Sequence, residues 1–555
     1  MWGGSLAFVL RYVLRVTLVT SLAFTWACKT TTAELSGEET PLLVSGKPQM
    51  CAAVRGNGHY IVTHFASLAR ITEHFGPVDG IAGGSSGSIT AFVYESMLKN
   101  PVLRQCGSRP CTKDEASLRL ALLLKSFIGY FDALGKSSEA VAVYGMSELR
   151  ERAMRQGLGQ SVAETGELRE KLLGLLSSDD VADLVNPEIL EMLNENDPVL
   201  AVRNAQEVYE AIALFGKFTT ENQKIFLRPG IFDFKAVAKK LGRIGSFYAG
   251  YEPIDRDALR GWLDQCADGD SRESYWDVVA KKSIGSTTCG EEFSRIVLDY
   301  REKLLANEAG FPSRINEPVG SVIPMLISTS IIHGSRHVSE IKEQQARYLK
   351  NLSAQISPGL ANLRFGYWGN SQSVAALDAN APGYGDLRTK KRLNLGTTSW
   401  EKILSLSPAE PGLAKIQVIN EELASAGGWS DLSPTQVLDM LGCERVIYVT
   451  RRGEETPFAS GIASLLGVSN EEIRDLYSLD NPESSFSVSL RRASGVWCTD
   501  WNRFKDTEFL PMALESYRAD FLTADESFSR NVLKPYGGLV QSGEIKGCSD
   551  MTAHR

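Results

Sequence analysis

Residues 78 to 88 have the sequence VDGIAGGSSGS, and this stretch decides the fold. Its first five residues, from Val78 to Ala82, predict a short strand that runs into a turn rich in Gly and Ser. After the turn, apolar residues recur at helical spacing: Ile89, Phe92, Val93 and Met97. The stretch therefore predicts a strand, a tight turn and a helix in direct succession.

A similar unit precedes this stretch. The apolar run from Cys51 to Val54 predicts a strand, and the residues from Arg55 to Gly58 form a turn signal whose glycines tolerate close backbone approach. The next apolar residues again recur near helical spacing: Ile61, Phe65, Leu68 and Phe75. Two consecutive strand, turn and helix units are typical of an α/β fold with a mainly parallel sheet.

The chain has 555 residues, which is more than one hydrophobic core usually organises. Residues 101–319 carry amphipathic helical patterns such as Leu118 to Leu134, with few strand-like runs. Strand character returns at 324–329 and at 446–449, the latter after a helix predicted to begin near Pro434. We therefore expect an N-terminal α/β part, a mainly helical insertion, a C-terminal α/β part and a C-terminal extension, at 48–100, 101–319, 320–460 and 461–555.

The composition excludes some classes of function. An apolar fraction of 43% and a charged fraction of 23% are those of an ordinary globular protein. The net charge of −8, together with the lack of a dense Lys/Arg stripe, argues against nucleic acid as a partner.

The N-terminus has the pattern of a secretory signal. Arg11 and Arg15 precede an apolar run from Val16 to Ala27, which is too short to span a bilayer as an ordinary membrane helix. We expect residues 1–27 to be a signal peptide and residues 28–47, rich in Thr, Glu and Ser, to be a polar tether. A buried first helix is the alternative.

Cys28 follows the apolar run and resembles the lipidated cysteine of bacterial lipoproteins. We expect export to the cell envelope with a membrane anchor on Cys28, and cleavage with release to the periplasm or the medium is the alternative. The remaining eight cysteines are an even number, as expected in an oxidising compartment. Closeness in the chain suggests three disulfides, with free thiols as the alternative: Cys106–Cys111, Cys266–Cys289 and Cys498–Cys548.

Gly83 to Gly87 match the G-x-S-x-G motif, in which a serine occupies a tight turn between a strand and a helix. Ser85 would lie at the helix N-terminus, where free N–H groups and the helix dipole favour an alkoxide and an oxyanion. The strand before and the helix after provide the structural context that the motif requires. The motif predicts that Ser85 is a nucleophile, and the alternative is a helix N-cap formed by Ser85 or Ser86.

The histidines do not supply an obvious triad. An α/β-hydrolase with a Ser-His-Asp triad has its histidine towards the C-terminal end of the chain, after the acid. The histidine found there, His554, is the penultimate residue. We expect the others to be structural or surface residues and not catalysts: His59, His64, His74, His333 and His337. The spacing of His333 and His337 suits a metal, but no acidic third ligand is nearby, so we expect no metal and no organic cofactor.

Two blocks of the chain resemble the patatin-like phospholipase family. The first covers 51–97 and includes the motif from Asp79 to Ser88. The second begins with SPAEPGL at 407–413, which is similar to the segment before the catalytic Asp-Gly-Gly of the family, and Ala426-Gly427-Gly428 follows at the matching distance. The resemblance, over roughly 51–97 and 320–450, implies a patatin-like three-layer α/β sandwich with a mainly parallel central sheet and a large helical insertion.

The resemblance also implies hydrolysis of lipid acyl esters, with a phospholipid or lysophospholipid as substrate. Members of the family use a Ser–Asp dyad, so Ser85 would form an acyl-enzyme that water hydrolyses. The backbone N–H groups expected to bind the oxyanion belong to Gly56, Asn57, Gly58 and Ser86.

The sequence departs from the family pattern at two places. Arg55 precedes the glycines of the oxyanion loop, whereas the family has a basic residue after them, and Ala426 stands where the dyad aspartate is expected. Alanine cannot accept a proton. Asp431, five positions after Ala426, is the candidate base, and its alternative role is to cap the helix near Pro434.

Ala426 keeps two further hypotheses open. One is a catalytically impaired patatin-like domain that binds lipid or a partner at the cell envelope. The other is a peptidase or general esterase that uses Ser85 with a basic partner not recognised in the sequence.

Overall fold

The computed structural model describes part of the chain. These residues are 48–56, 61–106, 108–135, 182–201, 230–251, 313–332, 363–380, 392–409, 417–420, 422–427, 434–451, 493–499, 509–518, 521–523 and 533–534, with stretches of one to three residues between 169 and 177, between 204 and 208, between 258 and 296, and at 414. The predicted signal peptide and tether lie outside these residues.

The described strands form one 11-stranded sheet and two short hairpins. The strands of the sheet are β1 (Met50–Val54), β2 (Gly80–Gly83), β7 (Met325–Ile332), β8 (Leu363–Gly369), β9 (Arg392–Gly396), β10 (Gln417–Ile419), β11 (Glu422–Ser425), β12 (Arg445–Arg451), β13 (Gly495–Thr499), β14 (Phe521–Thr523) and β15 (Leu533–Lys534). The hairpins are β3 (Gln105–Cys106) with β4 (Arg109–Pro110), and β5 (Ser283–Ile284) with β6 (Thr287–Thr288).

The centre of the sheet is parallel. Its strands follow the order β7-β2-β1-β12-β13, and every neighbouring pair in this series is parallel. Antiparallel neighbours lie outside it, with β14 beside β13 and both β8 and β11 beside β7. The sheet is therefore mixed and mostly parallel, and the predicted α/β class is confirmed.

Helices pack on both faces of this sheet. The described helices are α1 (Val62–Phe75), α2 (Ser86–Lys99), α3 (Lys113–Gly135), α4 (Pro187–Leu193), α5 (Phe234–Tyr248), α6 (Ser371–Asn380), α7 (Trp400–Leu406), α8 (Thr435–Met440) and α9 (Phe509–Arg518). Along β1, Ala52 and Val54 join the larger core, which also contains residues of α1, α2, α3, α5, α7 and α9. Cys51 and Ala53 point the other way, into a second core with α6 and α8. This explains why β1 is a continuous apolar run, as expected for a parallel strand buried on both faces.

The elements predicted around the first block are present. The strands and helices expected between 51 and 97 are β1, α1, β2 and α2, and the helical pattern from Leu118 to Leu134 lies within α3. The helix expected near Pro434 is α8, which begins at Thr435. No described helix has both the length and the apolar character needed to cross a membrane.

Two segments expected to lie apart from the α/β parts contribute to the same cores. Within 101–319, α3 and α5 supply residues to the core that contains α1 and α2. Within 461–555, β13 pairs with β12 over five residues, and α9 packs against the same core. Periodicity predicts such elements, but it does not tell which surface they cover.

Two disulfides are described completely. Cys106–Cys111 joins β3 to β4, which confirms the predicted pair. Cys289 is also disulfide-bonded, but Cys266 and Cys548 lie outside the described residues, so the other two predicted pairs stay predictions. The Cys51–Cys443 bridge connects residues 392 positions apart and was not predicted. Gly80 makes room for it, since a Cβ there would come within 2.9 Å of Cys51 Sγ.

Removal of the long-range bridge should destabilise the fold more than removal of the local one. Cys51→Ala with Cys443→Ala should lower the free energy of unfolding by about 4 kcal/mol, because the bridge restricts a very long segment of the unfolded chain. Cys106→Ala with Cys111→Ala is the matched control and should cost about 2 kcal/mol, because that loop is short. Urea unfolding of both variants measures the difference, and equal losses would contradict the expected ranking.

Candidate active site

Ser85 lies at the junction between β2 and α2. It is the residue immediately before α2, with φ 54° and ψ −127°, and it is 7% exposed. Among the described non-glycine residues, Ser85 and Asn420 have positive φ. Such a conformation is costly for a residue with a Cβ and persists only where the surroundings enforce it.

The glycines of the motif are required by close packing around this turn. A Cβ on Gly83 would lie 2.9 Å from the carbonyl oxygen of Gly87. A Cβ on Gly87 would lie 2.8 Å from the carbonyl oxygen of Val54 at the end of β1. The first turn of α2 therefore packs directly against the start of the loop that follows β1.

Ser85 is the N-cap residue of α2 by position but not by hydrogen bonding. Ser85 occupies the N-cap position of α2, but its side chain makes no capping hydrogen bond, and Ser86 is already the first helical residue. Instead, the Ser88 hydroxyl donates to the carbonyl oxygen of Ser85 at 2.6 Å. The Ser85 hydroxyl is thus not used to cap the helix.

The register of β7 brings the second sequence block next to Ser85. On one edge of β7, β2 ends with Gly83 opposite Ile327, and β11, which runs the other way, ends with Ser425 opposite Ser330. The segment that follows β2 and the segment that follows β11 therefore meet beside Ser328. A Cβ on Gly84 would lie 3.0 Å from the carbonyl carbon of Gly427, so the two backbones are in contact. Ser85 follows one of these glycines, and Ala426 precedes the other.

Buried serines connect the two blocks. The Ser407 hydroxyl accepts a hydrogen bond from the Ser85 N–H at 3.2 Å and donates to the carbonyl oxygen of Ser328 at 2.8 Å. The Ser407 carbonyl oxygen accepts from the Gly427 N–H at 3.0 Å. The sequence identified Ser407 only as the first residue of the second block, and its role in linking the blocks was missed.

Two serines of β7 complete these contacts. The Ser330 hydroxyl donates to the carbonyl oxygen of Ala426 at 2.6 Å, and the Ser328 hydroxyl donates to that of Gly427 at 3.3 Å. Both serines were missed as well. The available signal was a run of three hydroxyl residues, 328–330, inside an otherwise apolar strand, because a buried hydroxyl needs a partner.

The residues expected to act as base and oxyanion donors are only partly described. Ala426 is fully buried. Gly56 follows β1 as expected, whereas Asn57, Gly58 and Asp431 lie outside the described residues. The N-cap position of α8 is occupied by Pro434, and the roles of Asp431 stay predictions.

A buried ion pair connects α2, the helix that follows Ser85, to Arg314. Glu95 of α2 accepts from the Arg314 guanidinium at 2.5 Å, and neither side chain is exposed. The Trp400 indole and the Val322 N–H also donate to Glu95, at 2.8 Å and 2.9 Å. Breaking such a pair leaves an uncompensated charge, so it holds α2, the start of α7 and the chain near Arg314 together.

A second carboxylate extends this pair towards the surface. Glu317 accepts from Arg314 at 2.6 Å and also contacts Lys99 and the Tyr251 hydroxyl. Burial, with Glu317 close by, raises the pKa of Tyr251, so this hydroxyl remains protonated.

His64 is buried within the helical layer. Its Nδ1 lies 2.9 Å from the Thr90 hydroxyl, which donates to the carbonyl oxygen of Ser86 at 3.1 Å. His64 thus links α1 to the first turn of α2. No group of His, Cys, Asp and Glu among the described residues is arranged to hold a metal ion, and His333 and His337 lie outside them.

Comparisons of the chain with protein-family models, with curated protein sequences and with solved structures found no match.

Proposed function

We propose that this chain is a patatin-like lipid acyl hydrolase with Ser85 as its nucleophile. The observation that carries the proposal is the conformation of Ser85, a buried serine with positive φ at a turn from strand to helix. A backbone conformation of this kind costs about 1–3 kcal/mol, and such costs concentrate at functional sites.

The reaction has two halves. The Ser85 oxygen attacks the ester carbonyl carbon, the hydroxyl proton passes to a base, and the lipid alcohol leaves, which produces an acyl-enzyme. Water then attacks the acyl carbonyl, which releases a fatty acid and restores Ser85. A phospholipid or lysophospholipid is the proposed substrate.

Backbone N–H groups bind the oxyanion in this proposal. They belong to Ser86 in the first turn of α2 and to Gly56, Asn57 and Gly58 in the loop after β1. The contact between Gly87 and Val54 supports the assignment, because it places the beginning of that loop next to the first turn of α2.

The meeting of the two sequence blocks supports the assignment to the patatin-like family. The contact between Gly84 and Gly427 brings the segment that resembles the dyad block to the nucleophile. An ordinary triad is less favoured, because His64 bonds Thr90 as a link between helices.

Ala426 favours a second candidate function. The residue in the dyad position has no carboxylate and is fully buried. In this alternative, the chain is a catalytically impaired patatin-like domain that binds lipid or a partner at the cell envelope. In the leading proposal, Asp431 replaces the missing base, and general-base help is worth about 10² to 10⁴ in rate.

We also propose that the protein acts in the cell envelope, attached through a lipid on Cys28 after cleavage of residues 1–27. The Cys51–Cys443 and Cys106–Cys111 bridges support this location, because disulfides persist in oxidising compartments.

Ser85→Ala should abolish covalent labelling by a fluorophosphonate and lower fatty-acid release from phospholipid by at least about 10³-fold. The fold should persist, because alanine fits the same turn and Ser85 makes no capping hydrogen bond to α2. Ser96→Ala is the matched control, since the Ser96 hydroxyl bonds within α2 to the carbonyl oxygen of Phe92 at 2.6 Å. Labelling that persists in Ser85→Ala would place the nucleophile elsewhere.

Two further variants decide between an active and an impaired site. If Asp431 is the base, Asp431→Asn should lower fatty-acid release by about 10² to 10⁴ with little change in the free energy of unfolding. If the site is impaired, the wild type should be nearly inactive and Ala426→Asp should raise turnover. Strong wild-type activity that survives Asp431→Asn would contradict both versions.

The envelope proposal is tested on the mature protein. Mass spectrometry of membrane fractions should find a chain that begins at Cys28 and carries an added acyl mass. Cys28→Ser should release the protein from the membrane, and a variant that stays equally membrane-bound without any acyl mass would exclude the lipid anchor.

A further inference from the structure

Ser407 contacts three separate segments of the site through one buried residue. Its hydroxyl accepts from the Ser85 N–H and donates to the carbonyl oxygen of Ser328, while its own carbonyl oxygen accepts from the Gly427 N–H. Ser407 is fully buried, and it is 322 residues from Ser85 in the chain.

The bond to Ser85 acts on the most constrained backbone of the site. Ser85 has φ 54° and ψ −127°, a combination that a serine adopts only when neighbours hold it. The direction of the Ser85 N–H depends on φ, so a return to an ordinary backbone conformation would break the 3.2 Å bond to Ser407. The Ser407 hydroxyl therefore opposes relaxation of the turn.

The position of Ser407 is set independently by α7. Ser407 is the C-cap residue that follows this helix, and its N–H donates to the carbonyl oxygen of Ile403 at 2.8 Å. At the other end of α7, the Trp400 indole donates to Glu95, which belongs to α2. Helices α2 and α7 are thus connected at two places, through Glu95 and Trp400 and through Ser85 and Ser407.

We propose that Ser407 is a positioning residue for the nucleophile. Its hydroxyl holds the backbone of Ser85 in the conformation from which the side chain attacks, and its carbonyl oxygen holds Gly427. One residue thereby sets the spacing between Ser85 and the loop that begins at Ala426. This role rests on the proposed function of Ser85, and Ser407 does not itself contact the substrate.

The test compares two serines of the same helix end in the full-length protein. Ser407→Ala removes the hydroxyl that holds Ser85. Ser405→Ala is the matched control, because the Ser405 hydroxyl donates within α7 to the carbonyl oxygen of Lys402 at 3.0 Å. Ser407→Ala should lower the maximal rate of fluorophosphonate labelling about 10- to 100-fold, with the inhibitor concentration for half-maximal rate unchanged. Ser405→Ala should leave both values within about twofold of the wild type.

A second measurement separates this inference from the proposed function. Hydrogen exchange of the Ser85 amide should accelerate in Ser407→Ala and not in Ser405→Ala, whether or not Ser85 is reactive. An unlabelled wild type would refute the proposed nucleophile, and accelerated exchange would still support the positioning of Ser85. Unchanged labelling and unchanged exchange in Ser407→Ala, or equal losses in both variants, would overturn the inference.

A third variant covers the case in which Ser407→Ala does not fold. Ser407→Thr retains a hydroxyl at the same position, so a folded Ser407→Thr protein should be labelled within about fivefold of the wild-type rate. This loss is small compared with the rate loss of about 10²-fold that misplacement of a reacting group can cause. If Ser407→Thr shows a native unfolding transition but has lost labelling and protection of the Ser85 amide, the hydroxyl does not position Ser85.

Discussion

The backbone conformation of Ser85 is the constraint on which the site depends. A serine with positive φ persists only where its surroundings enforce that conformation, and here the strand before it, the helix after it and the neighbouring strands approach one another closely. Gly83, Gly84 and Gly87 supply that approach, against α2, β7 and the end of β1 respectively. The order of β7, β2 and β1 in the sheet and the position of α2 are therefore coupled to one turn.

Burial on both sides of the parallel centre makes this coupling rigid. The two cores occupy opposite faces of β1, and close-packed interiors resist small displacements. Buried ion pairs also fix which segments pack together, because separating a buried charge from its partner is strongly destabilising. Glu95 links α2 to Arg314, near the end of the predicted insertion, and to Trp400 of α7, and Glu73 with Lys125 links α1 to α3. Burial lowers the pKa of Lys125, and the adjacent Glu73 opposes this shift.

The proposed site thus combines a constrained serine, Ser85, with an alanine, Ala426, in the position that the patatin-like resemblance assigns to the base. The segment from Ala426 to Gly427 is held by hydroxyl groups of Ser330, Ser328 and by the carbonyl oxygen of Ser407, so its backbone is well defined even though Ala426 carries no carboxylate. In the proposed enzyme, geometry and proton transfer are therefore provided by different parts of the chain. In the proposed impaired domain, the same geometry remains without proton transfer.

The sequence by itself determined the local elements and the motif. The strands, turns and helices between 51 and 97, the G-x-S-x-G turn and the Cys106–Cys111 pair depend on residues close together in the chain, whose spacing is directly visible. Only the tertiary structure decided the Cys51–Cys443 bridge, the addition of β13 and α9 to the sheet and its core, and the contacts of Ser407. These features join residues hundreds of positions apart, and the periodicity of a segment specifies which of its faces is buried but not which distant segment covers that face. The conformation of Ser85 depends on both the local sequence and the tertiary structure. Its motif is local, whereas some of the residues that enforce its positive φ are far away in the chain.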